Sequence, residues 1–230
     1  MAQKTITGDE MFTHMLAALK ESISDVLKTK KQVNIGLPGG ESANELFKLL
    51  KHDASFPWDY VHFFMVDERL VSITDPESNY RNAHAQFIGV VTEKEMLPED
   101  NVHPFFIQEF KNQAKRNYER EIEEQGGVFD ILIFGVGPDG HIASLFPNHP
   151  LLESEDPVTA FINDAPKAPP ERITITPHMI AKASHAFLIF KGSAKQEAYE
   201  AYNDKTISVK DCPAKLVNSL KYVYVVTDLA

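Results

Sequence analysis

The stretch "VFDILIFGVGPDGHIASLFP", residues 128–147, decides the fold class. Its first half is a continuous apolar run, which is typical of a strand in the buried centre of a parallel β-sheet. Its second half is a glycine-bearing turn in which Gly135, Gly137 and Gly140 match the G-x-G-x-x-G spacing of dinucleotide-binding loops. The stretch therefore has two interpretations: a loop that holds a nucleotide, or a turn that presents His141.

The residues after the glycines disfavour the nucleotide interpretation. A dinucleotide loop needs a helix of several turns whose N-terminus faces the pyrophosphate. Pro147 and Pro150 would end such a helix after about two turns, and Asp139 would place a carboxylate beside the pyrophosphate. No strand ending in Asp or Glu follows about 20 residues later to hold a ribose. We therefore expect the glycines to shape a tight turn that exposes His141 at the end of a strand.

The sequence on both sides of this stretch alternates between strand and helix patterns. Helices are predicted at 9–28, 42–52, 76–88, 109–125, from Pro177, 193–202 and 214–220, and strands at 32–37, 60–70, 128–137, 172–176, 185–191 and 222–226. This order predicts an α/β fold: a three-layer, mostly parallel and Rossmann-like sheet with helices on both faces. Residues 147–170 hold six of the 14 prolines and predict a loop with one short strand. With no repeat or linker, a single domain over residues 1–230 is expected.

Composition narrows the class of protein and its partners. The 230 residues are 43% apolar and 24% charged with a net charge of -10, which argues against nucleic-acid binding. The single cysteine, Cys212, excludes an intrachain disulfide. No signal-peptide core and no apolar run of about 20 residues are present, so a cytoplasmic protein without a membrane partner is expected. No histidine pair has metal-site spacing, so no metal and no other cofactor is predicted. The oligomeric state stays open.

Four unusual sequences fall at the ends of predicted strands. They are PGGES at 38–42, DER at 67–69, GPDGH at 137–141 and KGSAK at 191–195. In open α/β sheets, ligands bind beyond the carboxyl ends of the strands. Polar, charged or glycine-bearing residues at four such ends together indicate one shared site.

These segments resemble, in order, the motifs of the 6-phosphogluconolactonase family, the lactone hydrolases of the oxidative pentose phosphate pathway. GVGPDGHIASLFP resembles the family signature, residues 37–47 resemble its Gly-Gly phosphate loop, residues 58–83 its Asp-Glu-Arg block, and residues 172–198 its Arg-strand and Gly-x-x-Lys block. The resemblance implies the fold of glucosamine-6-phosphate deaminase. It also implies metal-free hydrolysis of 6-phospho-D-glucono-1,5-lactone to 6-phospho-D-gluconate, with this small phosphosugar lactone as the partner.

Two other functions are compatible with the same fold. An amino-sugar-phosphate isomerase or deaminase would resemble Asp-Glu-Tyr where this chain has Asp67-Glu68-Arg69, and would carry a glutamate after the loop histidine that is missing here. A non-enzymatic phosphosugar-binding sensor would need a DNA-binding module, and it would have no need of His141. One departure from the lactonase pattern is Glu41, which stands where the family commonly has serine, and it leaves the details of phosphate contact open.

Lactone hydrolysis needs a base for the attacking water, donors for the developing oxyanion and a proton for the leaving ring oxygen. Histidine titrates near working pH, and the resemblance also assigns the role of general base to His141. Asp139 either positions the His141 ring or shapes the turn. Asp67 either binds a sugar hydroxyl or aids the water. Its neighbour Glu68 should point to the opposite face of the strand, where a charge network with Arg69 is one interpretation.

The predicted substrate-binding residues are Gly39, Gly40, Ser42, Arg69, Gly137, Arg172 and Lys195. The guanidinium fork of Arg69 suits a phosphate or carboxylate. Lys195 follows Gly192 at the beginning of a helix, where the amides favour anions, and the resemblance implies phosphate binding. Arg172 opens a strand after the Pro-rich loop and is a candidate contact for phosphate or lactone. Ser78 or Asn79 is expected to cap a helix.

Overall fold

The computed structural model of the chain describes residues 2–107 and 110–230. Over these residues the strands are β1 (Ala2–Ile6), β2 (Val33–Leu37), β3 (Val61–Met65), β4 (Asp67–Arg69), β5 (Val102–His103), β6 (Ile131–Gly135), β7 (Thr159–Ile162), β8 (Arg172–Ile175), β9 (His185–Phe190) and β10 (Tyr222–Thr227). The helices are α1 (Met11–Leu27), α2 (Asn44–Leu50), α3 (Asn79–Ala83), α4 (Gly89–Glu93), α5 (Lys111–Glu124), α6 (Pro177–Ile180) and α7 (Gln196–Asn203). A π-helical turn at His84–Ile88 joins α3 to α4.

The main sheet is parallel, as the alternating pattern predicts. Its seven strands, counted over the described residues, have the order β1-β10-β9-β6-β2-β3-β5, and every neighbouring pair is parallel. The central strand β6 is buried along its apolar residues and pairs with β2 and β9. The stretch at 128–147 thus begins in the middle of the sheet.

Alternate residues of the central strands enter two separate apolar clusters. One cluster joins Ile131 and Ile133 of β6 to the buried faces of α1 and α2. The other joins Leu132 and Phe134 of the same strand to α5, α6 and α7. Because side chains alternate across a strand, each cluster occupies one face of the sheet. The predicted three-layer arrangement with helices on both faces is confirmed.

A second, smaller sheet was not predicted. Strands β4, β8 and β7 form a three-stranded antiparallel sheet among the described residues. The single strand expected at 60–70 is divided at Val66, and the strand expected at 172–176 pairs with β4 instead of entering the parallel sheet. Val66 connects both sheets, because its N–H donates to Leu37 O and its carbonyl accepts from Ile175 N, both at 2.9 Å.

Two strands of the main sheet were also missed. The edge strand β1, AQKTI, is mostly exposed and lacks the apolar pattern of a buried strand, and β5 has two residues. The short strand expected within 147–170 is β7, and the helix expected at 214–220 is a 3-10 helix at Pro213–Ser219. The predicted beginning of the helix at 109–125 lies outside the described residues; α5 begins at Lys111. No helix in the described ranges is long and apolar enough to cross a membrane.

The strand order brings the four unusual segments together. Strands β9, β6, β2 and β3 are consecutive neighbours in the sheet, and each is followed directly by one of them. The chain runs outward in opposite directions from the boundary between β2 and β6, which creates a crevice at their carboxyl ends. The shared site predicted from the sequence therefore lies at this edge of the sheet.

Candidate active site

A cleft of about 600 Å³ opens at the carboxyl ends of these four strands. It is lined by His141, Asp67 and every predicted substrate-binding residue: Gly39, Gly40, Ser42, Arg69, Gly137, Arg172 and Lys195. Asp139 is not part of the lining and lies behind His141. The structure thus places all but one of the predicted site residues around a single cavity.

Two of the three glycines of the 135–140 turn, Gly137 and Gly140, are required by the packing or the backbone conformation. A Cβ at Gly137 would lie 2.0 Å from the His141 ring, so the absent side chain is what allows the imidazole to lie against the backbone. Gly140 has a φ of +83°, and a Cβ there would also lie 3.0 Å from Cys212 Sγ. Residues 141–149 contain no helix, so the dinucleotide interpretation is excluded and the turn that presents His141 is what forms.

His141 is oriented by Asp139. The Nδ1 atom of the ring hydrogen-bonds to Asp139 Oδ1, and Lys167 Nζ lies 3.8 Å from the other carboxylate oxygen. Partial burial acts to raise the pKa of Asp139, but the hydrogen bond with His141, the charge on that ring and the Lys167 ammonium outweigh it and hold this pKa well below its usual value. Within the described residues no group hydrogen-bonds to His141 Nε2, so this nitrogen is available to a water in the cleft.

Asp67 is held by neutral donors. Its carboxylate accepts from Ser144 Oγ at 2.6 Å and from Asn79 Nδ2 at 3.0 Å, and the side chain is largely buried. The Asn79 side chain in turn needs the glycine at 39, because a Cβ there would lie about 2.0 Å from it. The phosphate-loop glycine and the Asp67 carboxylate are therefore packed together through Asn79.

Glu68 points away from the cleft, as expected for the neighbour of Asp67. Its carboxylate accepts from the backbone N–H groups of Arg69, Asn79 and Tyr80 and from Ser78 Oγ. Burial raises the pKa of Glu68 to about 7 in spite of these bonds. The interpretation of Glu68 as the ionic partner of Arg69 is wrong, because Arg69 pairs with Glu77 at 3.6 Å.

Ser78 caps α3, as expected, and accepts a hydrogen bond from Arg81 N at 3.1 Å.

Cations dominate the lining of the cleft. They are Arg69, Lys167, Arg172, Lys191 and Lys195, against the two carboxylates of Glu41 and Asp67. Burial lowers the pKa of Lys195, and the nearby Lys167 ammonium lowers it further. A chain with a net charge of -10 thus concentrates positive charge at one site, which is the arrangement that attracts an anionic ligand.

Arg172 lines the cleft, but most of its donors are already used. It is 3% exposed. Nε donates to Pro169 O at 2.9 Å and the terminal nitrogen Nη2 to Lys167 O at 2.9 Å and Ala168 O at 3.4 Å. The guanidinium also lies 5.6 Å from the centre of the Phe146 ring. Its observed contacts fasten the Pro-rich loop beside the cleft.

Sequence reasoning missed two lysines and one hydroxyl of the site. Lys167 lies between prolines in a segment that reads as plain loop, and Lys191 looks like an ordinary charge at a strand end. Ser144 is fully buried and reads as a small packing residue, yet it donates to Asp67. The useful signal for Lys167 was a cation within the Pro-rich loop directly before Arg172.

Residues 2–107 and 110–230 contain no group of three or more His, Cys, Asp or Glu side chains arranged to hold a metal ion.

Comparison with known proteins adds to this geometry. A family model described as glucosamine-6-phosphate isomerases/6-phosphogluconolactonase matches residues 6–225. The chain belongs to this family. A 6-phosphogluconolactonase of Borreliella burgdorferi is 34% identical over 201 residues, which cover 86% of this chain and 85% of that protein. The protein of Arabidopsis thaliana named 6-phosphogluconolactonase 3, chloroplastic is 34% identical over 210 residues, or 84% of this chain and 63% of that protein.

The solved structures agree on the fold. The crystal structure of 6-phosphogluconolactonase from Thermotoga maritima aligns with a TM-score of 0.83 at 24% identity and covers 99% of both chains. The predicted glucosamine-6-phosphate deaminase-like architecture is confirmed. The names of the family members also confirm the predicted class: the chain is an enzyme, a lactone hydrolase.

Proposed function

We propose that this family member hydrolyses 6-phospho-D-glucono-1,5-lactone to 6-phospho-D-gluconate, the lactonase step of the oxidative pentose phosphate pathway, without a metal ion. The observation that carries the proposal is the His141–Asp139 pair at the wall of a cleft whose lining is mostly cationic. A histidine with one nitrogen fixed by a carboxylate and the other available to water is suited to general-base catalysis. The cations around it suit a phosphorylated substrate.

In this mechanism His141 transfers one proton from the attacking water to the leaving ring oxygen. His141 Nε2 takes a proton from water, and the resulting hydroxide attacks the lactone carbonyl carbon to form a tetrahedral oxyanion. When the bond from that carbon to the ring oxygen breaks, the His141 imidazolium returns the proton to the leaving oxygen. Asp139 keeps the ring oriented and stabilises its positive form between these two transfers, which is the role of a carboxylate paired to a catalytic histidine.

The remaining site residues bind and orient the substrate. Gly39 and Gly40 line the cleft directly before the short helix Glu41–Ala43, and in this proposal their backbone N–H groups donate to an oxyanion or phosphate oxygen. Arg69 and Lys195 provide charged donors for the phosphate. Asp67, held by Ser144 and Asn79, accepts hydrogen bonds from sugar hydroxyls.

The first test is hydrolysis of freshly generated 6-phosphogluconolactone by the wild type and by His141→Ala. The carboxylic acid product ionises to 6-phospho-D-gluconate, and the proton that it releases would be titrated in a pH-stat, with the spontaneous rate subtracted. Removing a general base is expected to lower kcat by roughly 10²–10⁴-fold. His141→Gln serves as a second variant of similar size, and thermal unfolding checks that both are folded.

Fast wild-type turnover that survives in both His141 variants would move the base elsewhere, to Asp67 first. Absence of wild-type turnover above the spontaneous rate would refute the lactonase and favour the amino-sugar phosphates as substrates.

A further inference from the structure

Two lysines of the cleft lie in the field of one carboxylate, and one of them is paired with it. Lys167 Nζ lies 3.8 Å from Asp139 Oδ2, and the charges of both residues act on Lys195, the first disfavouring and the second favouring its ammonium. Asp139 also accepts the hydrogen bond from His141. One carboxylate therefore contacts an ammonium group and an imidazole at the same time, with a second ammonium group nearby.

The ammonium groups of Lys167 and Lys195 outnumber the single negative charge of Asp139. Two like charges in a partly buried cleft repel each other, and a nearby anion offsets this repulsion. Asp139 fills this role in the free protein, although its Oδ1 atom is directed to His141. A phosphate group in the cleft would bring up to two negative charges, and it would suit both lysines better than the Asp139 carboxylate does.

We propose that Lys167 is a specificity residue that pairs with Asp139 in the free protein and transfers to the phosphate of the substrate, so that the phosphate activates His141 besides anchoring the ligand. This inference rests on the proposed lactonase function. It assigns a direct contact to a residue in the Pro-rich loop and gives the phosphate a part in the rate of the chemical step.

The charge on Lys167 affects how readily His141 accepts a proton. While Lys167 lies beside Asp139, its positive charge opposes a second positive charge on His141, and the ring accepts the proton of water less readily. When a phosphate neutralises Lys167, Asp139 supports the protonated ring alone. His141 then becomes the stronger base. Lactones that lack a phosphate leave Lys167 on Asp139 and should react more slowly even when bound.

The loop is built for such a transfer. Arg172 bonds to the carbonyl groups of Lys167, Ala168 and Pro169, which fixes the backbone from which the Lys167 side chain extends. The side chain itself is 42% exposed and has a flexible four-carbon stem. The ammonium can therefore exchange partners without any movement of the loop.

The test compares 6-phosphoglucono-1,5-lactone with unphosphorylated glucono-1,5-lactone. In Lys167→Met, kcat/KM for the phosphorylated lactone should fall by roughly 10–100-fold, the size of a lost charge-assisted hydrogen bond. The value for the unphosphorylated lactone should stay level or rise. Lys167→Arg should keep most of the preference. Lys210→Met is the control, because it removes an exposed lysine paired with Glu153 at 2.5 Å.

Inorganic phosphate provides a second readout. With the spontaneous rate in the same buffer subtracted, added phosphate should raise the wild-type kcat for glucono-1,5-lactone and should leave that of Lys167→Met unchanged. Equal losses on both lactones in Lys167→Met, or no loss on either, would overturn the inference. So would a wild type that phosphate does not activate.

A wild type that hydrolyses neither lactone would refute the proposed function itself. That result is distinct from every outcome that overturns the inference about Lys167, since each of those requires an active wild type.

Discussion

The two walls of the cleft are built in different ways. One wall comes from the ends of the parallel strands and consists of glycine-bearing turns, whose main chain positions His141, together with Lys191 and Lys195 after β9. The other comes from the small antiparallel sheet and the loop before β8, and it carries the guanidinium and ammonium groups of Arg69, Arg172 and Lys167.

This difference separates the groups that position His141 for the reaction from the cations that recognise the phosphate of the substrate. In the first wall, the backbone packs directly against side chains at Gly137 and Gly39, where an added Cβ would lie 2.0 Å from the neighbouring side chain. In the second wall, charge acts over several ångströms and long side chains can adjust. Changes that displace His141 in the first wall should therefore lower kcat for any lactone, whereas changes of the cations, including Lys195 after β9, should lower the preference for phosphorylated substrates.

The largest expected effect tests the first wall through Gly137→Ala. The added methyl group would lie 2.0 Å from the His141 ring and 2.6 Å from Asp139 Oδ1, so the ring must move. A displacement of about 1 Å at a catalytic group can lower the rate by about 10²-fold, and we expect such a loss in kcat on both lactones.

The control for Gly137→Ala is Gly40→Ala, where a Cβ meets nothing within 4 Å and where φ is -76°. Its kcat should change less than that of Gly137→Ala. Similar losses in the two variants would contradict the steric account of the turn.

A smaller effect is expected in the second wall from Arg172→Lys. The substitution keeps the charge but removes the planar fork that bonds to the loop carbonyls, and kcat/KM for the phosphorylated lactone should fall by about 10-fold. The preference for the phosphorylated over the unphosphorylated lactone should fall by a similar factor.

The double variant of Arg172→Lys and Lys167→Met tests how Arg172 acts. The two losses should not add, because both act through the Lys167 side chain. An additive double variant would show that Arg172 contacts the substrate on its own.

The smallest effect concerns Glu41, the acidic residue in the glycine loop. Glu41→Ser removes a negative charge from the lining of the cleft and should lower KM for the phosphorylated lactone by about 2–5-fold at low salt. The gain should shrink as ionic strength rises, since Glu41 is exposed, and KM for the unphosphorylated lactone should not change. A loss of affinity would mean that Glu41 orders the loop. Its neighbour Glu45, 4.0 Å from Lys191, provides the matched variant Glu45→Gln.

The features that could be predicted from the sequence are those that depend on residues close together in the chain. Helices, central strands and the turn around His141 depend on local patterns, and the structure contains them. The second sheet could not be predicted, because Asp67–Arg69 reads as the end of the strand before it and pairs with residues more than 100 positions away. The charge network of Glu68 with Arg69, one of two open interpretations, failed for a similar reason: the carboxylate accepts from backbone amides of a helix 11 and 12 residues later. Lys167 could not be assigned to the site from the sequence, because its place at the cleft depends on the three-dimensional position of a loop without any periodicity.

The position of Val66 between the two sheets has a consequence for how the protein unfolds. Its amide is bonded to β2 of the parallel sheet and its carbonyl to β8 of the antiparallel one, both at 2.9 Å. Because one residue is bonded to both sheets, we expect local opening of either sheet to loosen the other, and the two walls to unfold as one cooperative unit. Amide hydrogens on both sides of Val66 should exchange with solvent at similar, slow rates. Limited proteolysis should not cleave the chain between the two sheets before the protein unfolds.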